Sequence, residues 1–278
     1  MGKAVQLTRR LNALRWRLIR EWLMKGKPRE EGWGLDASDP IYKGNIFYNY
    51  PTQEETTLTF QVAAIASDGI VIGSDRRQLN AYFSEIEEIS SVQKSETTKF
   101  ERSPSGEVIC AFAGGPGARS WAIAIANTLD PRSNSLEQQR AISKASHEFP
   151  EDARIKNDVL IATSADLSMV QLASRKGRTD PNISAVRPFI TSGDLSIPAR
   201  FLLDHFWADA GVEQIKRLVL LTIYCASLEN PTGIGDGIDL IILDRGGPCW
   251  EKYRADEPFI VEMWMKLVRC GTATWMPD

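Results

Sequence analysis

The sequence predicts an α+β fold in which antiparallel sheets are covered by helices. The expected elements run in the order strands, two helices, strands, two helices, strands. That order fits helix-covered antiparallel sheets better than it fits repeated βαβ units. Ser67-Asp68-Gly69 lies between two apolar runs, and an Asp-Gly pair in that setting is a strong hairpin signal. No internal repeat is visible in the 278 residues.

The individual elements follow from apolar spacing. The segment Thr57–Asp75 is rich in Val, Ile, Thr and Ala, which predicts the first hairpin. Val212, Ile215 and Val219 recur at helical spacing and predict a late amphipathic helix. The other expected strands are 108–112, 159–164, 169–174, 189–192 and 238–243, and the other expected helices are 118–129, 135–149 and 197–208.

Composition narrows the possible partners. A net charge of −3, with 43% hydrophobic and 25% charged residues, is typical of a globular protein and does not indicate a nucleic-acid partner. The four cysteines form no CxxC pair and have no histidine at ligand spacing, so we expect no metal site, no cofactor and a reducing, cytoplasmic compartment. No run of about 18 apolar residues is present, so no membrane span is expected.

The first part of the chain differs from the remainder in charge. Basic residues dominate Met1–Pro28, and Leu7, Leu11 and Leu14 recur there at helical spacing, which predicts a basic amphipathic helix. Proline and glycine are frequent in 26–55, as in linkers. We therefore divide the chain into an N-terminal segment, 1–55, and a main domain, 56–278. A docking helix, a removable propeptide and a membrane-surface helix remain open for the segment.

Four short blocks resemble a known family. They are Thr59 to Asp75, Lys99-Phe100 with Glu107 to Gly115, Thr191-Ser192-Gly193, and Glu229 to Gly233 followed by Ile238 to Ile242. Their order is similar to that in the proteasome-type N-terminal-nucleophile hydrolases, in the β-subunit-like form and its bacterial two-ring relative. The resemblance implies a four-layer αββα sandwich of two antiparallel sheets flanked by helices. It also implies an extended loop around Leu79–Thr97, where the spacing is longer than usual.

The resemblance implies a threonine nucleophile and a lysine beside it. Thr59 lies sixteen positions before Asp75, which is the family's usual interval. Thr57 would take its place if the hairpin were two residues longer, because side chains two residues apart on a strand point to the same face. A first-residue α-amino group would act as the base. Lys99 would favour the neutral amine, and Asp75 would hold the Lys99 ammonium. The supporting positions implied are Ala111 as backbone oxyanion donor, Ser192, Glu229 and Thr232.

Ordinary structural interpretations stand beside these roles. Asp75 is also compatible with a strand end, Lys99 with a solvated loop, Ser192 with a turn, and Thr232 with a helix stop. Three departures from the family pattern bear on activity. No glycine precedes either threonine, Glu229 replaces an aspartate, and Ala111 replaces a glycine.

The function that the resemblance implies is a threonine-type endopeptidase working inside an oligomeric chamber. The expected partners are further copies of the chain in a ring, an unfolded protein or peptide substrate, and an ATPase unfoldase. Two alternatives are a non-catalytic ring subunit, which the missing glycine favours, and an amidohydrolase of the same family acting on a small amide.

Overall fold

A computed structural model describes residues 59–83, 89–115, 117–149, 157–163, 169–174, 182–184, 188–193, 197–231, 233–254 and 256–270. The chain divides into two compact units, one formed by 1–56 and 262–274 and the other by 57–261 and 275–278. The predicted N-terminal helix and linker lie outside the described residues, and the boundary at 55/56 stays a prediction. Across the described part of the chain, no helix is long and apolar enough to cross a membrane.

The described elements alternate between groups of strands and pairs of helices, and a single helix comes last. In chain order they are β1 Phe60–Ile65, β2 Gly69–Asp75, β3 Arg77–Phe83, β4 Ile89–Glu96, β5 Phe100–Arg102, β6 Val108–Ala113, α1 Gly117–Thr128, α2 Ser135–Glu148, β7 Asn157–Thr163, β8 Met169–Ser174, β9 Asn182–Ser184, β10 Phe189–Gly193, α3 Ile197–Phe206, α4 Val212–Glu229, β11 Ile238–Asp244, β12 Gly247–Tyr253 and α5 Pro258–Cys270.

These strands form two five-stranded antiparallel sheets and one hairpin. The first sheet has the order β10-β1-β2-β11-β12, and the second has the order β5-β6-β7-β8-β9. Strands β3 and β4 pair only with each other among the described strands. The α+β class and the two antiparallel sheets expected from the sequence are therefore confirmed.

An apolar core joins the two sheets face to face. Ala63, Ile72 and Ile241 of the first sheet pack in one buried cluster with Ile109 and Leu160 of the second. Successive side chains on a strand point to opposite faces of the sheet. Every second residue counted from these core residues, and the residues paired with them on neighbouring strands, therefore faces the space between the sheets.

Helices cover the outer faces. Trp121 of α1 and Ile142 of α2 pack with Val159 and Leu172 of the second sheet. Helix α4 lies close against β2, since a Cβ on Gly73 would come within 2.6 Å of Ile223. This arrangement is compatible with the four-layer sandwich expected from the sequence.

The segment predicted as an extended loop is a two-stranded sheet instead. Strands β3 and β4 occupy most of 79–97, so the loop expectation was wrong. Their sequences are rich in polar residues, and their longest apolar run is the three residues Ala81 to Phe83, which weakens the usual signal of a buried strand. The sequence interpretation also missed β12 and α5, both of which follow the last predicted strand.

The start of α2 is stabilised by a capping box. The Asn134 side chain accepts hydrogen bonds from the N–H groups of Leu136 and Glu137, and the Glu137 carboxylate accepts one from Asn134 N–H. We expect Asn134→Ala to lower the free energy of unfolding by about 1 kcal/mol, measured by urea denaturation. Glu137→Gln should cost less, because the amide oxygen can still accept; an equal loss would contradict this account.

Candidate functional site

The ends of three strands meet at Thr59. This residue directly precedes β1 and is 8% exposed. A Cβ on Gly193, the last residue of β10, would lie 1.9 Å from the Thr59 carbonyl oxygen and 3.5 Å from Cβ of Ala113 at the end of β6. Because β6 belongs to the second sheet, residues of both sheets surround the start of β1.

A buried ion pair lies beside that strand end. Lys99 Nζ is 2.8 Å from Asp75 Oδ1, and the two side chains are 4% and 0% exposed. Asp75 Oδ1 also accepts a hydrogen bond of 2.9 Å from Phe60 N–H, the amide next to Thr59. Asp75 Oδ2 accepts bonds from the backbone N–H groups of Arg77 and Gly235. One carboxylate therefore positions both the lysine and the residue after Thr59.

Burial acts on both members of this pair. Removal from water raises the pKa of Asp75 and lowers that of Lys99, because it penalises the charged form of each group. The attraction between the two charges and their hydrogen bond oppose both shifts. A lysine with a lowered pKa, held next to a carboxylate, is a group that can exchange a proton with a reacting partner.

A loop after α4 completes the surroundings of Asp75. The guanidinium of Arg77 donates two hydrogen bonds of 2.7 Å to the Asp236 carboxylate and a further one to the Pro231 carbonyl. Asp236 has φ +61, a conformation uncommon outside glycine. This pairing holds the loop so that Gly235 N–H reaches Asp75 Oδ2 at 3.3 Å.

A row of polar residues crosses the first sheet next to Thr59. Gln61 is paired with Ser192 on β10 and with Ser74 on β2, and Ser74 is paired with Asp239 on β11. All four residues are buried. Their side chains point to the same face of the sheet as those of Ala63, Ile72, Ile190 and Ile241, which pack in the core between the sheets. The apolar layer therefore ends in this polar row on the side of Thr59.

Asp239 has an unusual environment within the row. Neither of its carboxylate oxygens makes a hydrogen bond within the described part of the chain. Arg76 Nε lies 3.3 Å from Asp239 Oδ1, and Arg76 also pairs with the more exposed Glu96. The Arg76 charge compensates the buried Asp239 carboxylate in place of hydrogen bonds.

Hydrogen bonds from the side chains of Gln61 and Ser192 connect the sheets at this end. Gln61 Nε2 donates to the carbonyl oxygen of Phe112 on β6 at 2.6 Å. Ser192 Oγ donates to Asp158 Oδ2 on β7 at 3.1 Å. The two bonds involve neighbouring residues of β1 and β10, so they fix the second sheet against the strands that flank Thr59.

The structure brings together some of the residues predicted for the site. Asp75 and Lys99 pair directly, and Thr59 precedes the amide that Asp75 binds. Ser192 is paired with Gln61, two residues after Thr59. Thr57 and Thr232 lie outside the described residues. The roles of all these residues remain predictions.

The other two predicted site residues, Ala111 and Glu229, lie within a strand and at the end of a helix. Ala111 lies within β6, fully buried, and is paired with Phe100 and with Leu160. Gly114, two residues after Phe112, is exposed and follows the end of that strand. Glu229 is the last residue of α4, and the backbone group from the following loop that binds Asp75 belongs to Gly235.

Sequence reasoning missed several residues of this region, namely Gln61, Ser74, Arg77, Asp158, Gly235, Asp236 and Asp239. A signal was present for three of them. Gln61, Ser74 and Asp239 each occupy an inward-facing position at one end of an otherwise apolar strand. Only the pairing of the strands aligns these positions in one row. Within the described ranges, no group of three or more His, Cys, Asp or Glu side chains could hold a metal ion.

The fold resembles that of Anbu. A Gly-1 mutant of Anbu from Hyphomicrobium sp. strain MC1 superimposes with a TM-score of 0.59 at 16% identity. A second Anbu structure from the same organism has a TM-score of 0.57 at 16% identity, and Anbu (ancestral beta-subunit) from Yersinia bercovieri has 0.55 at 18% identity. Each comparison covers 79% of this chain and 98% of the other. At these identities the likeness concerns the fold alone.

The comparisons correct the family assignment made from sequence motifs. No protein-family model matches the chain, and no curated protein matches it. The assignment to the proteasome-type N-terminal-nucleophile hydrolases and their bacterial two-ring relative was wrong, since the similar structures are those of Anbu. The four motif blocks fall on β1 and β2, on the start of β5 and on β6, on the end of β10, and on the end of α4 and β11. The likeness that they carry is therefore one of a proteasome-like fold and not of membership of that family.

Proposed function

We propose that this chain is a threonine-type endopeptidase that uses Thr59 as its nucleophile. The observation that carries the proposal is the buried Lys99–Asp75 pair, whose carboxylate also binds the N–H of Phe60. A buried ion pair contributes little to stability compared with apolar residues, so its presence at a strand end supports a chemical role. The proteasome-like fold supports the same reaction class by analogy only.

The proposed reaction requires a cut between Leu58 and Thr59. The cut would free an α-amino group, which titrates near about pH 8 and can accept the proton of the Thr59 hydroxyl. The hydroxyl oxygen would then attack a peptide carbonyl, and the peptide C–N bond would break as the leaving amine takes up that proton. Water would hydrolyse the resulting ester. The Lys99 ammonium would favour the neutral amine through its charge.

A backbone N–H would stabilise the oxyanion of this reaction. Ala111 is the position implied by the sequence resemblance. The exposed Gly114 is a second donor, since it adjoins Ala113, whose Cβ faces Gly193 beside the Thr59 carbonyl. The two N–H groups differ in how a substrate would reach them, because Ala111 is on β6 between the paired strands β5 and β7, whereas Gly114 follows the end of β6.

We extend the proposal to the assembly. The chain would form a closed ring of like subunits, take unfolded polypeptide as substrate and receive it from an ATPase unfoldase. Support comes from the description of the Yersinia protein as a beta-subunit. The measurement is the native mass of the full chain, and a stable monomer would refute the ring.

Thr59→Ala gives the direct test of the nucleophile. We expect the wild-type chain to yield a mature form beginning at Thr59 in intact-mass analysis, and to gain one adduct from a threonine-directed electrophile. Thr59→Ala should abolish the adduct and lower peptide hydrolysis by at least about a thousandfold. Thr57→Ala is the control and should keep both.

A non-catalytic subunit is the alternative, and the burial of Thr59 together with the missing glycine before it favours that alternative. It predicts an uncut chain that does not react with the electrophile. That result would refute the endopeptidase. Loss of labelling in Thr57→Ala alone would move the nucleophile to Thr57.

A further inference from the structure

Gln61 is a fully buried polar residue on an inward-facing position of β1. Its Nε2 group donates to Phe112 O at 2.6 Å and lies 3.4 Å from Ser74 Oγ. Its other amide atom, Oε1, is buried and has no hydrogen-bond partner within the described residues. Rotating the amide by half a turn would place Oε1 against the Phe112 carbonyl, so the orientation with Nε2 toward Phe112 O is the favourable one.

This arrangement is costly for a residue with only a packing role. A buried acceptor without a partner loses its hydration and gains nothing in return, and such groups are rare in native proteins. Two residues further along the same face, β1 carries Ala63, which has no such cost. The Gln61 side chain therefore needs an explanation other than packing.

The bond to Phe112 supplies that explanation. Phe112 N–H donates to Lys99 O at 3.0 Å, while Phe112 O accepts from Gln61. The two polar groups of one residue thus connect β1 to the backbone of Lys99. The Phe112 carbonyl also belongs to the peptide that leads through Ala113 to Gly114. Gln61 consequently holds the Phe112–Ala113 peptide directly, and it bears on the Phe112 N–H bond to Lys99 O through Phe112.

We propose that Gln61 is a positioning residue, which holds the end of β6 against β1 and so sets the placement of Lys99 and of the Gly114 N–H relative to Thr59. The inference rests on the proposed threonine chemistry. Within the described part of the chain, the Gln61 side chain makes its hydrogen bonds to Phe112 and Ser74 and not to Lys99 or Thr59, so it acts through the Phe112 peptide groups.

The test compares Gln61→Met with Gln138→Met in the full chain. Methionine keeps the length of the side chain and removes the N–H donors. Gln138 is a matched control, since it is buried and its Nε2 donates to the Pro131 and Ser133 carbonyls, away from Thr59. Three quantities are measured for each variant: the Tm, the hydrogen-exchange rate of the Phe112 amide, and the rate of Thr59 labelling by the electrophile.

We expect Gln61→Met to leave Tm within about 4 °C of the wild type, because losing the Phe112 bond is offset by removing the unpartnered Oε1. Exchange at the Phe112 amide should accelerate by at least about tenfold, because its bond to Lys99 O opens more readily. The maximal labelling rate should fall by at least about tenfold, with the half-saturating electrophile concentration within about twofold of the wild type. Gln138→Met should lower Tm and change neither rate.

Opposite results overturn the inference. Unchanged exchange at Phe112 in Gln61→Met, or faster exchange with an unchanged labelling rate, would refute the positioning role. An equal loss of labelling in Gln138→Met would assign the effect to general destabilisation. If the wild-type chain does not react at Thr59, the proposed function fails, and the positioning role fails with it even when exchange at Phe112 accelerates.

Discussion

Asp75→Asn is expected to lower the free energy of unfolding by about 3–5 kcal/mol, because it leaves the Lys99 ammonium buried without its counter-charge. The amide oxygen can still accept from Phe60 N–H, but the amide nitrogen in place of Oδ2 cannot accept from the N–H groups of Arg77 and Gly235. The loss therefore includes these two backbone bonds as well as the charge. Urea denaturation at neutral pH measures it. A loss of unfolding free energy no larger than the one expected for an exposed ion pair would contradict the burial of the Asp75 and Lys99 charges.

Lys99→Met should cost less than Asp75→Asn. The Asp75 carboxylate keeps three backbone donors, from Phe60, Arg77 and Gly235, which continue to stabilise its charge. The double variant should be no less stable than Asp75→Asn alone, since removing the lysine removes the isolated charge. Lys144→Met provides the control, because its pair with Glu148 is exposed and should change the unfolding free energy within error.

The pH dependence of Asp75→Asn has a definite sign. Burial lowers the pKa of Lys99 in the folded protein, and without Asp75 nothing from that carboxylate opposes the shift. Between the lowered pKa and the ordinary lysine value, the unfolded chain binds more protons than the folded one, so stability rises with pH. The difference in unfolding free energy between the wild type and Asp75→Asn should therefore become smaller as the pH is raised toward the ordinary pKa of lysine.

Gly193→Ala is expected to have a comparable effect through the backbone. Gly193 has φ +87, which an L side chain rarely adopts, and a Cβ there would overlap the Thr59 carbonyl oxygen at 1.9 Å. The conformational cost and the overlap together should lower the unfolding free energy by about 3–5 kcal/mol. Thr59 should also move, so labelling at Thr59 should be lost in any variant that still folds.

Gly106→Ala separates the two causes. Gly106 has a similar φ of +78, but a Cβ there would meet nothing within 4 Å. It should lose only about 1–2 kcal/mol and keep its reactivity at Thr59. If both glycine variants lost the same unfolding free energy, the overlap with the Thr59 carbonyl oxygen would contribute nothing to the loss in Gly193→Ala.

Much of the fold could be predicted from the sequence because its central strands are apolar and bounded by glycine or aspartate turns. The β1–β2 hairpin is an example, since Asp68-Gly69 separates two buried runs. Strands β3 and β4 could not be recognised, because a two-stranded sheet need not bury a continuous apolar face and their residues are mostly polar. Helix α5 was missed although its residues are largely apolar.

The site was predictable only where a residue fell in one of the four motif blocks. Asp75 and Lys99 were implied by the resemblance of those blocks, and the structure pairs them. Gln61 and Asp239 became recognisable only through strand register, which depends on pairing between segments far apart in the chain. The link from Arg77 to Asp236 joins residues 159 positions apart, a distance that no local pattern encodes.

The position of β1 between β10 and β2 has a consequence for any cleavage ahead of Thr59. The strand is paired from Phe60 onward with β10 and from Gln61 onward with β2, so severing the preceding peptide bond would remove none of these pairings. A new chain terminus would consequently arise already seated between the two sheets. Its amine would act at the high effective molarity of a tethered group, with no search in solution needed to reach its partners.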